Sequence, residues 1–520
     1  MQTKIQNPVL TGFNPDPSIL RVGKKYYMAT STFEYYPGVQ IFESQDLANW
    51  KVVARPITQA MQDRTGVPHG GGVWAPCLTH DGTRFYLVYS RVTSWYVEPF
   101  KDCDNFVITA TDITGEWSEP KYMNSDGFDA SLFHEGDKSY YMSVQWDYRM
   151  PVGAKQFSGI LLWEFDRNTC ALIGEPKKIF RGTERGLVEA PHIYKIGEYY
   201  YLFTAEGGTN VEHAETVARS KNIYGPYELH PYTHLITSYQ TDNPLQKAGH
   251  ASLVDDGNGN YYLAHLCGRK LFKGNCVLGR ETAIQNVTFK EDGWMYLSHG
   301  GTQPRAYFTV PYAVEMQSKQ QGKIPFTEQT LQTVYQSLRT PLTGKYQILS
   351  PASIKLTGAE SIVSKHNQTL LAVRQKDVAF QASVCLDFEP EKHSHCAGLI
   401  YRYNEENQFM LYMSRDTDAK ENRLYICGYE KGVWLFTDTG VSVGNKVYLK
   451  VNADTDGGQF YYSLDGETYS AIGTAFDNSV LSDEGASPMG FTGAFVGMYV
   501  GDFAKKEKKA VFTDFEYIPQ

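Results

Sequence analysis

Asp16, Asp129 and Glu189 are acids that stand at one equivalent position of a repeated segment, and Trp74 and His250 fill that position in two further copies. Carboxyl groups that converge can divide the work of acid–base catalysis. A protonated carboxyl donates to a leaving group while an ionised one acts on water. A third acid nearby can hold the donor protonated by like-charge repulsion. Taken alone, Asp16 within Asn14-Pro15-Asp16-Pro17-Ser18 reads equally well as a Pro-rich turn entering a strand. Turn chemistry gives no reason for acids to recur at Asp129 and Glu189, so a shared site is the better reading.

The elements that must position these residues follow from the repeat itself. Each copy runs from the lead residue through a small residue or Pro and two apolar-leaning positions to a Gly-containing turn and an aromatic pair. The copies start Asp16-Pro17-Ser18-Ile19, Trp74-Ala75-Pro76-Cys77, Asp129-Ala130-Ser131-Leu132, Glu189-Ala190-Pro191-His192 and His250-Ala251-Ser252-Leu253. The aromatic pairs are Tyr26-Tyr27, Phe85-Tyr86, Tyr140-Tyr141, Tyr200-Tyr201 and Tyr261-Tyr262, and the lead residues lie 58, 55, 60 and 61 apart. A hairpin followed by further strand material is one four-stranded propeller blade, so the pattern predicts a five-bladed β-propeller over residues 1–312, with the lead residues meeting at one funnel mouth. Beyond Val310 the repeat ends. Residues 326–339 read equally as a helix or the start of a strand, and from about Gln347 period-two segments such as Ala379–Leu386, Arg423–Cys427, Val447–Val451 and Gln459–Ser463 predict a β-sandwich in a second domain, 313–520. The fold class is all-β.

Composition sets the limits. The chain has 520 residues, beyond what one core usually serves, so two domains are expected. The 37 Tyr, 27 Phe and 8 Trp favour strands and offer surfaces for stacking on sugar rings. Lys and Arg number 49 against 58 Asp and Glu, a formal net charge of −9 with no basic block, which argues against a nucleic-acid partner. The eight cysteines contain no CxxC pair and read as reduced, buried residues. No apolar run of membrane-spanning length and no apolar N-terminal leader is present, so the expectation is a cytoplasmic protein without a membrane partner.

Several segments together are similar to glycoside hydrolase family 43 β-xylosidases. They are Asn7–Leu10 with Phe13–Ser18, Phe33–Gln40, Gly72–Pro76, Gly127–Phe133, Glu189–His192, Thr204–Thr209, Gly249–Ser252, Leu278–Ala283 and, near the C-terminus, Gly493–Met498. The resemblance runs nearly end to end. It implies a five-bladed propeller, a concanavalin-like (jelly-roll) C-terminal β-sandwich that lends a loop to the active-site mouth, and inversion at the anomeric carbon. It maps Asp16 to the general base, Glu189 to the general acid and Asp129 to the carboxylate that tunes and orients the acid. The implied reaction is exo-acting release of xylose from xylo-oligosaccharides or arabinoxylan oligosaccharides, with α-L-arabinofuranosidase activity as a side reaction or as the alternative. A non-catalytic carbohydrate-binding propeller is the alternative of another class, but it would not need acids in three repeats.

Around the acids, Arg280 can offset their negative charge and hold one ionised, unless it is spent on a structural ion pair with Glu281 or on a backbone carbonyl. Phe33 and Trp74 are candidate walls for the terminal sugar. His250 reads as a pocket-floor hydrogen-bonding group or a structural imidazole, and a calcium ion beside it is left open; no cofactor is required. Phe495, in Gly493-Ala494-Phe495-Val496-Gly497, is expected to enter the funnel mouth, with a place in the sandwich core as the bland alternative. Homo-oligomerisation is left open. A serine-hydrolase reading of His69–Gly72 and Gly440–Gly444 fails, because no histidine follows Ser442. Asn452–Gly457 reads as a hairpin turn and not a calcium loop, and His393, His395 and Cys396 as an exposed loop.

Overall fold

A computed structural model describes residues 2–58, 65–96, 99–317, 322–430, 432–487 and 489–520. Each predicted hairpin forms. After the first strand of each unit the chain reverses at a glycine with left-handed backbone, Gly23, Gly82, Gly136, Gly197 and Gly259, where φ lies between 56° and 99°. A side chain at that φ would be strained, which is why the turn position is glycine. The second residue of each aromatic pair then points between sheets: Tyr27, Tyr86, Tyr141, Tyr201 and Tyr262 are all buried. Burial of such large rings is the main apolar gain of each unit.

Among the described residues, five four-stranded antiparallel sheets result. Their first strands, Ser18–Val22, Gly72–His80, Ser131–Glu135, Glu189–Ile196 and Gln246–Asp255, contact one another in order, and the fifth contacts the first. This closed ring is the propeller, with its axis between the first strands. The third position of the repeat has a physical use there where it is serine. Ser18 Oγ accepts from Leu78 N–H of the next sheet (3.0 Å), and Ser252 Oγ accepts from Ile19 N–H (2.9 Å) while donating to the Pro17 carbonyl (2.8 Å). Serine hydroxyls thus stitch neighbouring blades where a larger side chain would hold them apart. The ring is closed again at its rim, where Thr3–Gln6 pairs with Tyr307–Val310.

The second domain is a β-sandwich of an eight-stranded and a six-stranded sheet. All four predicted period-two segments lie within its strands, and Asn452–Gly457 spans the hairpin turn between Lys446–Ala453 and Gly458–Ser463. The undecided stretch holds a short helix, Glu328–Thr333, capped by Thr327, and then Ser337–Leu338, which pairs across the domain boundary with Tyr35–Tyr36. His395 and Cys396 are not in an exposed loop: both are buried in the strand His395–Asn404, where His395 Nε2 lies 3.6 Å from Asp502. Ser442 sits in the edge strand Val433–Val443, without the strand-to-helix turn a nucleophile elbow needs.

The two domains share one apolar core, which runs from Phe13, Phe33 and Tyr35 of the propeller to Ala372, Ile400 and Phe495 of the sandwich. Loss of an inter-blade stitch is measurable. Ser252→Ala leaves the Ile19 N–H and the Pro17 carbonyl unpaired and is expected to destabilise the fold by about 1–3 kcal/mol. Ser470→Ala, at an exposed site, should stay within about 0.5 kcal/mol. Thermal midpoints of both variants beside the parent check this.

Candidate active site

The lead residues reach the axis because the backbone kinks beside them, just before the innermost strand at Asp16 and Asp129 and within it at Ala75, Ala190 and His250. Asp16, Asp129 and His250 have φ of 55°, 53° and 50°; in the two copies with Pro at the third position the kink falls one residue later, at Ala75 (33°) and Ala190 (51°). Non-glycine residues hold such angles at a cost of about 1–3 kcal/mol each, and they persist only where neighbours over-determine them. Polar groups of adjoining blades do that here. Ala75 N–H donates to Ser31 Oγ (2.8 Å), Asp129 N–H to Ser90 Oγ (3.1 Å) and Ala251 N–H to Glu215 Oε2 (2.7 Å).

Asp16, Trp74, Asp129, Glu189 and His250 consequently line one cavity of about 440 Å³. Of the other predicted residues, Phe33 and Arg280 line it too, and Phe495 does not. Phe495 opens the sandwich strand Phe495–Asp502, paired on both sides, and its ring stacks on Tyr35 with centroids 3.8 Å apart. It is a wedge between the domains. The aromatic that the sandwich sends into the cavity is Phe491, four residues earlier, stacked on Phe33 at 5.7 Å and edge-on to Trp74 at 5.5 Å. Trp95, Phe128, Trp146 and Met489 complete the apolar wall.

Charge is arranged unevenly around the acids. Asp16 Oδ1 lies 3.0 Å from Arg280 Nη1 and 3.4 Å from His250 Nδ1, and Oδ2 accepts from Ser31 Oγ at 2.5 Å. Burial alone would raise the Asp16 pKa, yet Arg280, His250 and the Ser31 hydroxyl together bring it below the ordinary 3.8. For Glu189 the opposing charges of Arg280 and Lys101 do not outweigh burial. Burial, and then the negative charge of Asp16, push its carboxyl up to about 8. Asp129 is also raised well above its usual range, by burial and by Glu189 and Asp16. Arg280 is not spent on Glu281, which instead takes the guanidinium of Arg269 at 2.6 and 2.9 Å. Among the described residues, no group of three or more His, Cys, Asp and Glu side chains gathers as metal ligands do. The arrangement offers one ionised and one protonated carboxyl in a small, aromatic-walled cavity: an acid and a base for cleaving a bond in a neutral ligand.

A family model described as glycosyl hydrolases family 43 matches residues 5–295, and one described as a beta xylosidase C-terminal concanavalin A-like domain matches residues 323–518. The chain is 44% identical to a xylosidase/arabinosidase 43B of Humicola insolens, covering 99% of this chain and 98% of that protein. It is 42% identical to a beta-xylosidase of Bacillus subtilis, covering 99% of both. A crystal structure of xylan beta-1,4-xylosidase from Bacillus halodurans superposes with a TM-score of 0.93 at 40% identity, over 99% of this chain and all of that one.

The raised Glu189 carboxyl has a cost in stability. Between the ordinary 4.5 and about 8 the unfolded chain has lost a proton that the folded protein keeps, so stability falls as pH rises through that window. Glu189→Gln removes this dependence. The variant is expected to gain on the parent by an amount that grows from pH 4.5 to 8, to on the order of 5 kcal/mol, and then levels off. Thermal midpoints across pH check it.

Proposed function

This chain belongs to glycosyl hydrolase family 43, and from that premise we propose that it is an inverting, exo-acting β-1,4-xylosidase releasing xylose from the non-reducing ends of xylo-oligosaccharides. The observation that carries the reading is the opposed ionisation of two carboxyls on one cavity wall, Asp16 below its ordinary range and Glu189 above it. Ionised Asp16 takes a proton from a water molecule whose oxygen bonds to the anomeric carbon. The glycosidic C–O bond breaks on the opposite face of the ring, and the leaving oxygen receives the Glu189 proton. The product has inverted configuration. Asp129, its own carboxyl raised well above the usual range by burial, Glu189 and Asp16, stands on the adjoining blade in the same cavity and is the third carboxyl proposed to tune and orient the acid.

The substrate class follows from the walls. Aromatic faces of Phe33, Trp74 and Phe491 suit the apolar faces of a pyranose ring, and about 440 Å³ lies toward the small end of ligand cavities. Phe491 limits the depth of the funnel, so a chain end fits better than an internal segment. The name of the Humicola relative favours a second activity on α-L-arabinofuranosides, whose hydroxyls present a similar pattern. Carboxylate-driven hydrolysis needs no organic cofactor. A calcium ion beside His250 is a poor fit, because the Asp16 oxygen facing the imidazole already accepts from a guanidinium and calcium takes six to eight oxygen ligands. The eight unpaired cysteines support a reducing compartment such as the cytoplasm.

Glu189→Gln tests the acid. Hydrolysis of xylobiose should fall by about 10²–10⁴-fold, while an aryl xyloside with an acidic phenol, which needs little protonation, should lose far less. Equal losses would remove Glu189 from that role. The first-formed sugar, read by proton NMR, should be α-xylose; β-xylose would overturn inversion. Polymeric xylan should be cut far more slowly than xylobiose.

A further inference from the structure

The sandwich segment that enters the cavity is held by buried polar contacts that the steps above do not use. Arg280 Nη2 donates to the carbonyl of Phe491 at 3.0 Å, while Nη1 serves Asp16 (3.0 Å) and Thr209 Oγ1 (2.9 Å). One residue further on, Thr492 N–H donates to the Tyr403 hydroxyl at 3.0 Å, and that hydroxyl donates to Asp483 Oδ1 at 2.6 Å. Asp483 is anchored to the propeller through Lys247 Nζ, 3.2 Å from Oδ2. Tyr403, Thr492 and Lys247 are each 1% exposed and Asp483 is 5% exposed. The seat is tight: a Cβ at Gly490 would stand 2.0 Å from the Tyr403 hydroxyl oxygen, so the hydroxyl rests on bare backbone. The contacts run without a gap from Lys247 through Asp483, Tyr403, Thr492 and the Phe491 carbonyl to Arg280 and Asp16.

We propose that Tyr403 and Asp483 are positioning residues for the general base: by fixing Thr492 they hold the Phe491 carbonyl on Arg280, and so hold the guanidinium on Asp16. The sandwich domain then sets the charge state of the base as well as the depth of the pocket. The inference rests on the assignment of Asp16 as that base. The groups that bear on Asp16 are Arg280, His250, His213 and the Ser31 hydroxyl, which favour its ionised form, and the acids Glu189 and Asp129, whose own protonation it favours. Of these, only Arg280 is bonded to the sandwich segment. When its carbonyl anchor loosens, burial pushes the Asp16 pKa upward and the acid limb of the pH profile moves to higher pH.

The test is the pH dependence of kcat/KM on xylobiose for the parent, Tyr403→Phe, Asp483→Asn and Arg280→Met, with thermal midpoints and single-pH kcat and KM. Tyr403→Phe should move the acid limb upward by about half a pH unit or more, and so lower kcat by about threefold at pH values below the limb, with KM changed less and little change near pH 5. Asp483→Asn, which keeps an acceptor for Tyr403 but loses one of the two charges on Lys247 (Glu484, at 2.8 Å, remains), should shift the limb the same way by less. It also supplies the reading if Tyr403→Phe does not fold. Arg280→Met should shift it furthest. An unmoved limb in Tyr403→Phe and Asp483→Asn, beside a moved one in Arg280→Met, overturns the positioning role; so does a lower thermal midpoint with limb and kcat unchanged. An unmoved limb in Arg280→Met overturns instead the assignment of Asp16 on which the inference rests.

Discussion

The Asp16–Arg280 ion pair, 3.0 Å long with both side chains about 5% exposed, is the contact on which the rest of the site depends. A carboxylate taken out of water without a partner would neutralise itself by taking up a proton. Arg280, aided by His250 and Ser31, prevents that. Once Asp16 is held negative, a second carboxyl in the same dry cavity ionises only with difficulty, and the raised Glu189 follows from that charge together with burial. A single buried pair therefore separates the two carboxyls into base and acid, a division that environment and not residue type creates.

The pair also explains why the fold must close. Asp16 and Arg280 are 264 residues apart, one just before the first blade and the other at the head of a strand in the last. They meet because the ring returns to its start. Asn14 N–H donates to the Arg280 carbonyl (2.9 Å), Thr282 Oγ1 donates to the Asn14 carbonyl (2.6 Å), and the rim strands Thr3–Gln6 and Tyr307–Val310 pair outside them. The sandwich contributes from the other side through the Phe491 carbonyl and ring. Both domains are thus parts of one site, which fits the continuous apolar core between them.

Much of this was legible in the sequence, for identifiable reasons. The repeat has a long period and carries its acids at one position, so the blades, the axis and the convergence of Asp16, Asp129, Glu189, Trp74 and His250 could all be read before any coordinates. What the repeat does not encode was harder to see. The left-handed kinks fall at lead residues in three copies and one residue later in the two with Pro at the third position; a proline follows directly in three copies, but nothing of the kind marks Asp129 or His250. Ser31 and Ser90 look like ordinary strand serines until the neighbouring blade is in place. Glycines flank Phe495 and point to it as the aromatic that enters the mouth, yet Gly490 and Gly493 flank Phe491 just as closely. Only knowing that a strand starts at Phe495, pairing with Arg374 and Arg402, decides between them. Pairing between distant strands is set by partners and not by local pattern.

The central claim is that opposed protonation of Asp16 and Glu189 drives catalysis, and the pH profile of kcat/KM on an aryl xyloside, for the parent and for Glu189→Gln, tests it most directly. The parent should show an acid limb below the ordinary Asp value of 3.8 and an alkaline limb near pH 8. The variant should keep the first and lose the second. An alkaline limb that survives unchanged in Glu189→Gln, or parent activity that rises through pH 8, would contradict the account.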